Sequence, residues 1–264
     1  MYDFAYQKPG SLADAVKVLS GDMEAKALAG GQTFIPVLKQ RLNKPSVVVD
    51  LARLGLSGIT VSGNTVTIGA MTTHAAIASN PEIKAKIPGL QHQASLIGDE
   101  AVRHRGTMGG SLANNDPAAC YPSALLALGG TIKTDRRSIA ADDFFQGMFT
   151  TALEQGEIIT SIELPIPEKS AYEKFRNPAS RYAIVGVFVA KFPSGVRLAI
   201  TGASQGGVFR HTEMEKALSA NFAPDAINGI VTPATDMNAD IHASAEYRAH
   251  LVGVISKRAV AKAA

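Results

Sequence analysis

Two segments pair Gly-Gly with a hydroxyl residue, and they constrain this chain more than any other feature: Ala29-Gly30-Gly31-Gln32-Thr33 and Thr107-Met108-Gly109-Gly110-Ser111. Each reads as a turn that ends a short extended run and leads into a helix. Glycine has no Cβ, so such a turn can press bare backbone N–H groups against a phosphate. A helix N-terminus behind it favours an anion further. Two such turns suit a ligand with two phosphates held from two sides. The plain alternative is that each Gly-Gly only makes a tight turn. Neither segment matches the Rossmann or P-loop spacing.

The run Ser11 to Asp14 has the form of a capping box, and Leu12, Ala15, Val16 and Leu19 then share one helical face up to Gly21. Ala25 to Ala29 reads as a short strand, Phe34 to Leu42 as a helix, and Val47 to Asp50 as a buried parallel strand. Residues 1–55 thus form a small α/β unit. From Ile59 to Ile68 the residues alternate about Gly63-Asn64, which predicts a hairpin. Helices are expected near 73–79, 89–97 and 118–128, and a strand at 157–164. Pro165, Pro167 and the polar stretch to Ala171 suggest a boundary, giving units 56–168 and 169–264. In the last unit, 182–192 and 195–202 read as paired strands. Helices are expected there at 211–219, 224–230 and 244–262.

With 264 residues, of which 46% are hydrophobic and 19% charged, the chain can bury a substantial core. A net charge of +3 is too small and too scattered for nucleic-acid binding. No apolar run approaches the roughly 18 residues of a membrane helix, and the opening residues lack signal-peptide character. Cytoplasm is therefore the expected location. The single cysteine, Cys120, leaves no disulfide and no iron–sulfur cluster held by this chain alone. It reads as a buried, inert thiol. No metal-binding spacing and no nucleophile–base pair are visible, so neither a metal ligand nor a catalytic side chain is assigned.

Arg103-His104-Arg105 brings cations next to the second glycine segment, for a phosphate, an acidic partner or solvent. Asp116 follows Asn114-Asn115. It suits a ribose or ribityl hydroxyl, or equally a cap for the helix that follows. Tyr182 suits stacking on a flat cofactor, or a place in the core.

Read with their surroundings, these segments resemble the FAD-binding medium subunits of molybdenum hydroxylases, the group of the carbon monoxide dehydrogenase medium chain and the flavin part of xanthine dehydrogenase. The matching stretches are Ala29–Lys39, Ile68–His74, Val102–Ala113, Asp116–Ala119, Pro178–Ala183 and Ser244–Leu251, in family order along nearly the whole chain. The resemblance implies an α+β, vanillyl-alcohol-oxidase-like FAD-binding fold in two subdomains. A C-terminal α/β domain with a small antiparallel sheet and flanking helices would follow. It implies FAD contacts from Ala29, Gly30, Gly31, Gln32 and Thr33, and from Thr107, Gly109, Gly110 and Ser111. Asn114 and Asp116 are further candidates, and Arg176 and Tyr182 match positions near the isoalloxazine ring. It also implies partners: a large molybdopterin subunit and a small subunit with two [2Fe–2S] clusters, together a dimer of heterotrimers. Electrons would pass from the clusters through FAD to an external acceptor. Three departures stand out: Cys120 where relatives often carry a second acid, Gln32 where they often carry His or Asn, and Asn114-Asn115 in place of a His or small pair. Two other readings are a free-standing flavin oxidoreductase of the same fold and a scaffold subunit that has lost FAD.

Overall fold

The computed structural model describes residues 1–263 and shows a mixed α+β chain built on three main sheets. The first sheet is parallel, with β3 (Val47–Asp50) between β1 (Ala5–Gln7) and β2 (Lys26–Leu28). Helix α1 (Leu12–Gly21) crosses between β1 and β2. Ser11 caps it by accepting the Asp14 N–H at 3.1 Å, as the capping-box pattern predicts. Its buried face, Ala15 and Leu19, packs with Val49, Leu51 and Ile158. Helix α2 is short, Phe34–Lys39, and ends before the expected Leu42.

The second sheet is antiparallel and five-stranded. The hairpin β4 (Ile59–Ser62) and β5 (Thr65–Gly69) turns at Gly63-Asn64, as the alternation predicts, and Gly63 takes φ +55. Helices α3 (His74–Ser79), α4 (Pro81–Lys86), α5 (Pro88–Ser95), α6 (Glu100–Arg105), α7 (Met108–Asn114) and α8 (Tyr121–Leu128) follow. Next come β6 (Thr131–Thr134), β7 (Ser138–Ala140), the short helix α9 (Ala141–Phe144) and a small hairpin, β8 (Phe145–Gly147) with β9 (Thr150–Thr151). Strand β10 (Ile159–Pro165) returns to the middle, giving the order β4-β5-β10-β6-β7. The run before the second glycine segment is not extended; it is helix α6, and the segment itself is the first turn of α7.

The third sheet, β11 (Lys169–Arg176), β12 (Ala183–Phe192), β13 (Gly195–Ser204) and β14 (Gly207–Arg210), is an antiparallel meander. The β12–β13 pair matches the sequence expectation, with Phe192 opposite Gly195. Helices α10 (Thr212–Ala220) and α11 (Ala245–Ala263) complete the chain, and the expected helix at 224–230 is only a 3₁₀ turn, Pro224–Ile227. Every residue of β12 from Ala183 to Ala190 is buried, because α11 covers one face of the sheet and α8 the other. All of α8 is buried too, between the second and third sheets. Among the described residues no helix is long and apolar enough to cross a membrane.

Candidate cofactor-binding site

The two glycine segments meet, and the glycines are what lets them. A Cβ on Gly30 would run into the Arg105 carbonyl, with its carbon at 2.7 Å and the Gly106 Cα at 2.8 Å. A Cβ on Gly109 would sit 2.6 Å from the Ala70 Cβ, and one on Gly110 would sit 3.3 Å from the Ala29 Cβ. Gly31 adopts φ +74, a left-handed conformation that side chains disfavour. The segments therefore close on each other through backbone and form one wall of a cavity of about 670 Å³. That volume lies within the roughly 300–1,000 Å³ usual for ligand clefts.

Their hydrogen-bonding states differ. Among the described residues, the N–H groups of Gly30, Gly31, Gln32 and Thr33 have no partner. Four successive free amides around a left-handed glycine form a concave donor set suited to phosphate oxygens. The second segment holds no such reserve. Met108 N–H bonds to Thr72 O, Gly109 N–H to Ala70 O, Gly110 N–H to the Thr107 hydroxyl and Ser111 N–H to Thr107 O. The expectation of bare amides on both sides is thus met at the first segment only. The second segment docks on the β5–α3 connection and leaves the Ser111 hydroxyl as its free donor.

All the residues expected at the site line this cavity except Arg176, so the structure brings together Ala29, Gly30, Gly31, Gln32, Thr33, Thr107, Gly109, Gly110, Ser111, Asn114, Asp116 and Tyr182. Arg176 ends β11 opposite Ala183 with its side chain exposed and away from the lining. Gln32 folds back so that its amide donates to Gly30 O at 3.2 Å. Asp116 does not cap α8, whose N-cap position is Cys120. Its carboxylate accepts the Ala118 N–H at 2.8 Å, closing a turn one residue further back. Burial raises the Asp116 carboxyl above its usual range, and the Ala118 N–H opposes that rise. Tyr182 is 49% exposed at the cavity wall rather than in the core, and burial followed by the nearby Asp116 raises its phenol. Cys120 is buried, as expected, and forms part of the lining.

Other lining residues escape the sequence reading. His74 caps no helix and reaches the wall from α3, with its own N–H donating to Gly106 O at 2.9 Å. Its ring lies 5.2 Å from that of Tyr121, and its Nδ1 is buried without a partner. Burial, then the charge of Arg103, lowers its pKa to about 4, so the ring is neutral at pH 7. Glu157 also lines the cavity. Burial alone would raise its pKa, but bonds from Arg137, the Glu154 N–H and the Thr134 hydroxyl outweigh burial and hold it at about 2. Lys174 and Arg181 reach the lining from β11 and from the loop before β12. Sequence periodicity marks these residues poorly: His74 opens a six-residue helix, Glu157 and Arg181 lie in loops, and Lys174 is one polar residue of strand β11.

No cluster of metal-ligating side chains occurs among the described residues. The site therefore offers phosphate donors, a flat aromatic, two carboxylates and several cations around one cleft, which suits an extended phosphorylated cofactor.

Comparison with known proteins agrees with this chemistry. Residues 2–167 match the family model described as the FAD binding domain in molybdopterin dehydrogenase. The glyceraldehyde dehydrogenase medium chain of Sulfolobus acidocaldarius is 36% identical, over 97% of this chain and 97% of its own length. The nicotine 6-hydroxylase medium subunit of Paenarthrobacter nicotinovorans is 36% identical, over 98% of this chain and 96% of that protein. Among solved structures, a chain of reconstituted CO dehydrogenase from Oligotropha carboxidovorans superimposes with a TM-score of 0.91 at 33% identity, covering 99% of this chain and 97% of that one. The chain belongs to the family of FAD-binding domains of molybdopterin dehydrogenases.

Proposed function

We propose that this chain is the FAD-carrying electron-transfer subunit of a heteromeric molybdenum-containing hydroxylase. It takes electrons from [2Fe–2S] clusters on a small partner subunit and delivers them to an external acceptor. The molybdopterin sits on a large partner subunit, and the whole is a dimer of heterotrimers in the cytoplasm. The observation that carries this reading is the row of four free amides at Gly30–Thr33, opening into a cavity of about 670 Å³ in a chain of this family. That donor set fits a pyrophosphate, and the volume fits the rest of a dinucleotide.

FAD, when bound, supplies a two-electron carrier that can exchange single electrons with metal clusters. The chain's own residues bind and orient it. Amides of Gly30, Gly31, Gln32 and Thr33 hold the pyrophosphate, helped by the hydroxyls of Thr33 and Ser111. Ala29, Thr107, Gly109 and Gly110 shape the close approach on that wall. Asn114 and Asp116 serve hydroxyls of the sugar or ribityl chain, and Tyr182 covers one part of the cleft mouth. Lys174 and Arg181 take the cationic place expected of Arg176. No side chain here makes or breaks substrate bonds. The relatives are named for glyceraldehyde, nicotine and carbon monoxide; in this reading the large subunit chooses the substrate.

The test is an anaerobic titration of the flavin-free chain with FAD, followed by visible absorbance and by quenching of flavin fluorescence. Saturable one-to-one binding is expected in the native chain. The variant Gly30→Val should lose it while riboflavin, which lacks the pyrophosphate, is equally weak in both. A chain that stays colourless with excess FAD would leave the scaffold reading standing. Substrate oxidation by the isolated loaded chain would favour a free-standing oxidoreductase.

A further inference from the structure

One wall of the cavity carries cations that no acid neutralises. Lys174 Nζ donates to Leu96 O at 2.8 Å and to Arg181 O at 2.9 Å, and lies 3.5 Å from Cys120 Sγ. An ammonium has three donors, and these three partners use them all. Arg103 Nη1 donates to Ile97 O and Gly98 O, both at 3.1 Å, and Arg181 Nη1 to Gly98 O at 3.2 Å. Three cationic side chains thus converge on the carbonyls of residues 96–98. Among the described residues none of the three forms an ion pair. A half-buried cation held by carbonyls and a thiol alone keeps its full charge directed at its surroundings. Two of these three residues, Lys174 and Arg181, line the cavity, as does Cys120. Asp116 also lines the cavity, but it forms no ion pair with any of the three. With the pyrophosphate held by the free amides at Gly30–Thr33, as in the FAD reading above, this second positive wall is left to face another part of the cofactor.

We propose that Lys174, with its charge left intact because a thiol and not a carboxylate stands beside it, is a positioning residue that favours the reduced, anionic form of bound FAD over the oxidised form. The inference rests on the FAD reading above. Two electrons and one proton taken up by the neutral oxidised ring leave it with one negative charge. An ammonium at the cavity wall stabilises that charge and gains nothing from the neutral ring. The two-electron potential of the bound flavin is therefore raised, which draws electrons into this subunit. Arg181 and Arg103 hold the 96–98 bend in place and add to the same field.

The experiment measures dissociation constants for oxidised and dithionite-reduced FAD on the full chain, with ADP as a probe lacking the ring. Lys174→Met should weaken reduced FAD about tenfold more than oxidised FAD, equivalent to a fall of about 30 mV for a two-electron couple. Lys174→Arg should keep the native ratio. Cys120→Asp should copy Lys174→Met, because a carboxylate at that position pairs with the ammonium and cancels its charge. ADP affinity should be unchanged in all three. An unchanged ratio in both Lys174→Met and Cys120→Asp would overturn the proposal and leave Lys174 as a tie between three segments. Loss of ADP affinity in Lys174→Met would also overturn it, by assigning the cation to the nucleotide end. Should Lys174→Met fail to fold, the pair Lys174→Arg and Cys120→Asp decides the question by the same ratio. A native chain that binds no FAD in either state fails at the earlier reading; a native chain that binds both with no effect of the variants fails only here.

Discussion

His74 is buried at the cavity wall with its Nδ1 unpartnered, and it is neutral in the folded chain. Its folded pKa, about 4, lies below the ordinary 6.5 because burial and Arg103 both oppose the charged ring. The unfolded chain therefore binds the extra proton first. Between pH 6.5 and 4 stability rises with pH; it is complete above 6.5 and is lost as pH falls toward 4. The size of the shift corresponds to about 3 kcal/mol. His92 and His211 are shifted in the same direction, so the clean measure is the difference between native chain and His74→Phe. That difference, read from urea midpoints at pH 7 and pH 5, should shrink the acid-side loss; parallel pH curves would refute the assignment. Glu157 acts lower. Its folded pKa of about 2 against an ordinary 4.5 adds stability that is present above 4.5 and disappears as pH falls toward 2. Glu157→Gln should reduce that more acidic loss, to which Asp22, Asp50, Asp240 and Glu246 also contribute, and leave the His74 window untouched.

At the scale of elements, the second glycine segment is a packing joint more than an anion cradle. Gly109 lies against Ala70, where an added Cβ would meet the Ala70 oxygen at 2.8 Å and its Cβ at 2.6 Å. Both are atoms of Ala70, whose N–H is tied to Thr160 O, so Gly109→Ala should destabilise by about 1–3 kcal/mol through overpacking. Gly21, at the end of α1, has nothing within 4 Å of an added Cβ. Gly21→Ala should be neutral or slightly stabilising in the same thermal denaturation series. Equal effects at the two positions would mean that backbone freedom, not close approach, explains both. The same contrast separates what the sequence makes legible from what it hides. The Ser11 cap, the Gly63-Asn64 hairpin and the Val47–Asp50 strand depend on neighbours in sequence, and all three appear as read. The amides of α7 are committed to Thr72 and Ala70, which lie far back in the chain, so local reading could not foresee that they are unavailable. Helices α4, α6 and α7 have six or seven residues each, too few to show a period. Lys174 and Arg176 sit in one strand, and which of them reaches the cavity depends on strand register against β12, a tertiary fact.

At the scale of the whole molecule, the units 1–55, 56–168 and 169–264 each have their own sheet, yet their cores are not separate. Tyr172, Phe188, Ala190 and Ala199 of the third sheet belong to the same buried cluster as Ile68, Leu125 and Ile162. Ile158 joins the core of the first unit. Helix α8 has no exposed residue and relies on β12 and β13 to cover it. We propose that these units are structural subdivisions of one cooperative body, so a fragment covering 1–168 should not behave as a native domain. Without the third sheet it exposes α8 and the face of α5 that packs on β11. It should bind a hydrophobic dye and show no sharp thermal transition, whereas the full chain should unfold in one step. The fragment also loses Lys174, Arg181 and Tyr182 from the cavity wall, while keeping every free amide of Gly30–Thr33. Its affinity for FAD should therefore fall much further than its affinity for inorganic pyrophosphate. A fragment that melts cooperatively and binds FAD as the full chain does would mean that the third unit is an appendage to the cofactor site rather than one of its walls.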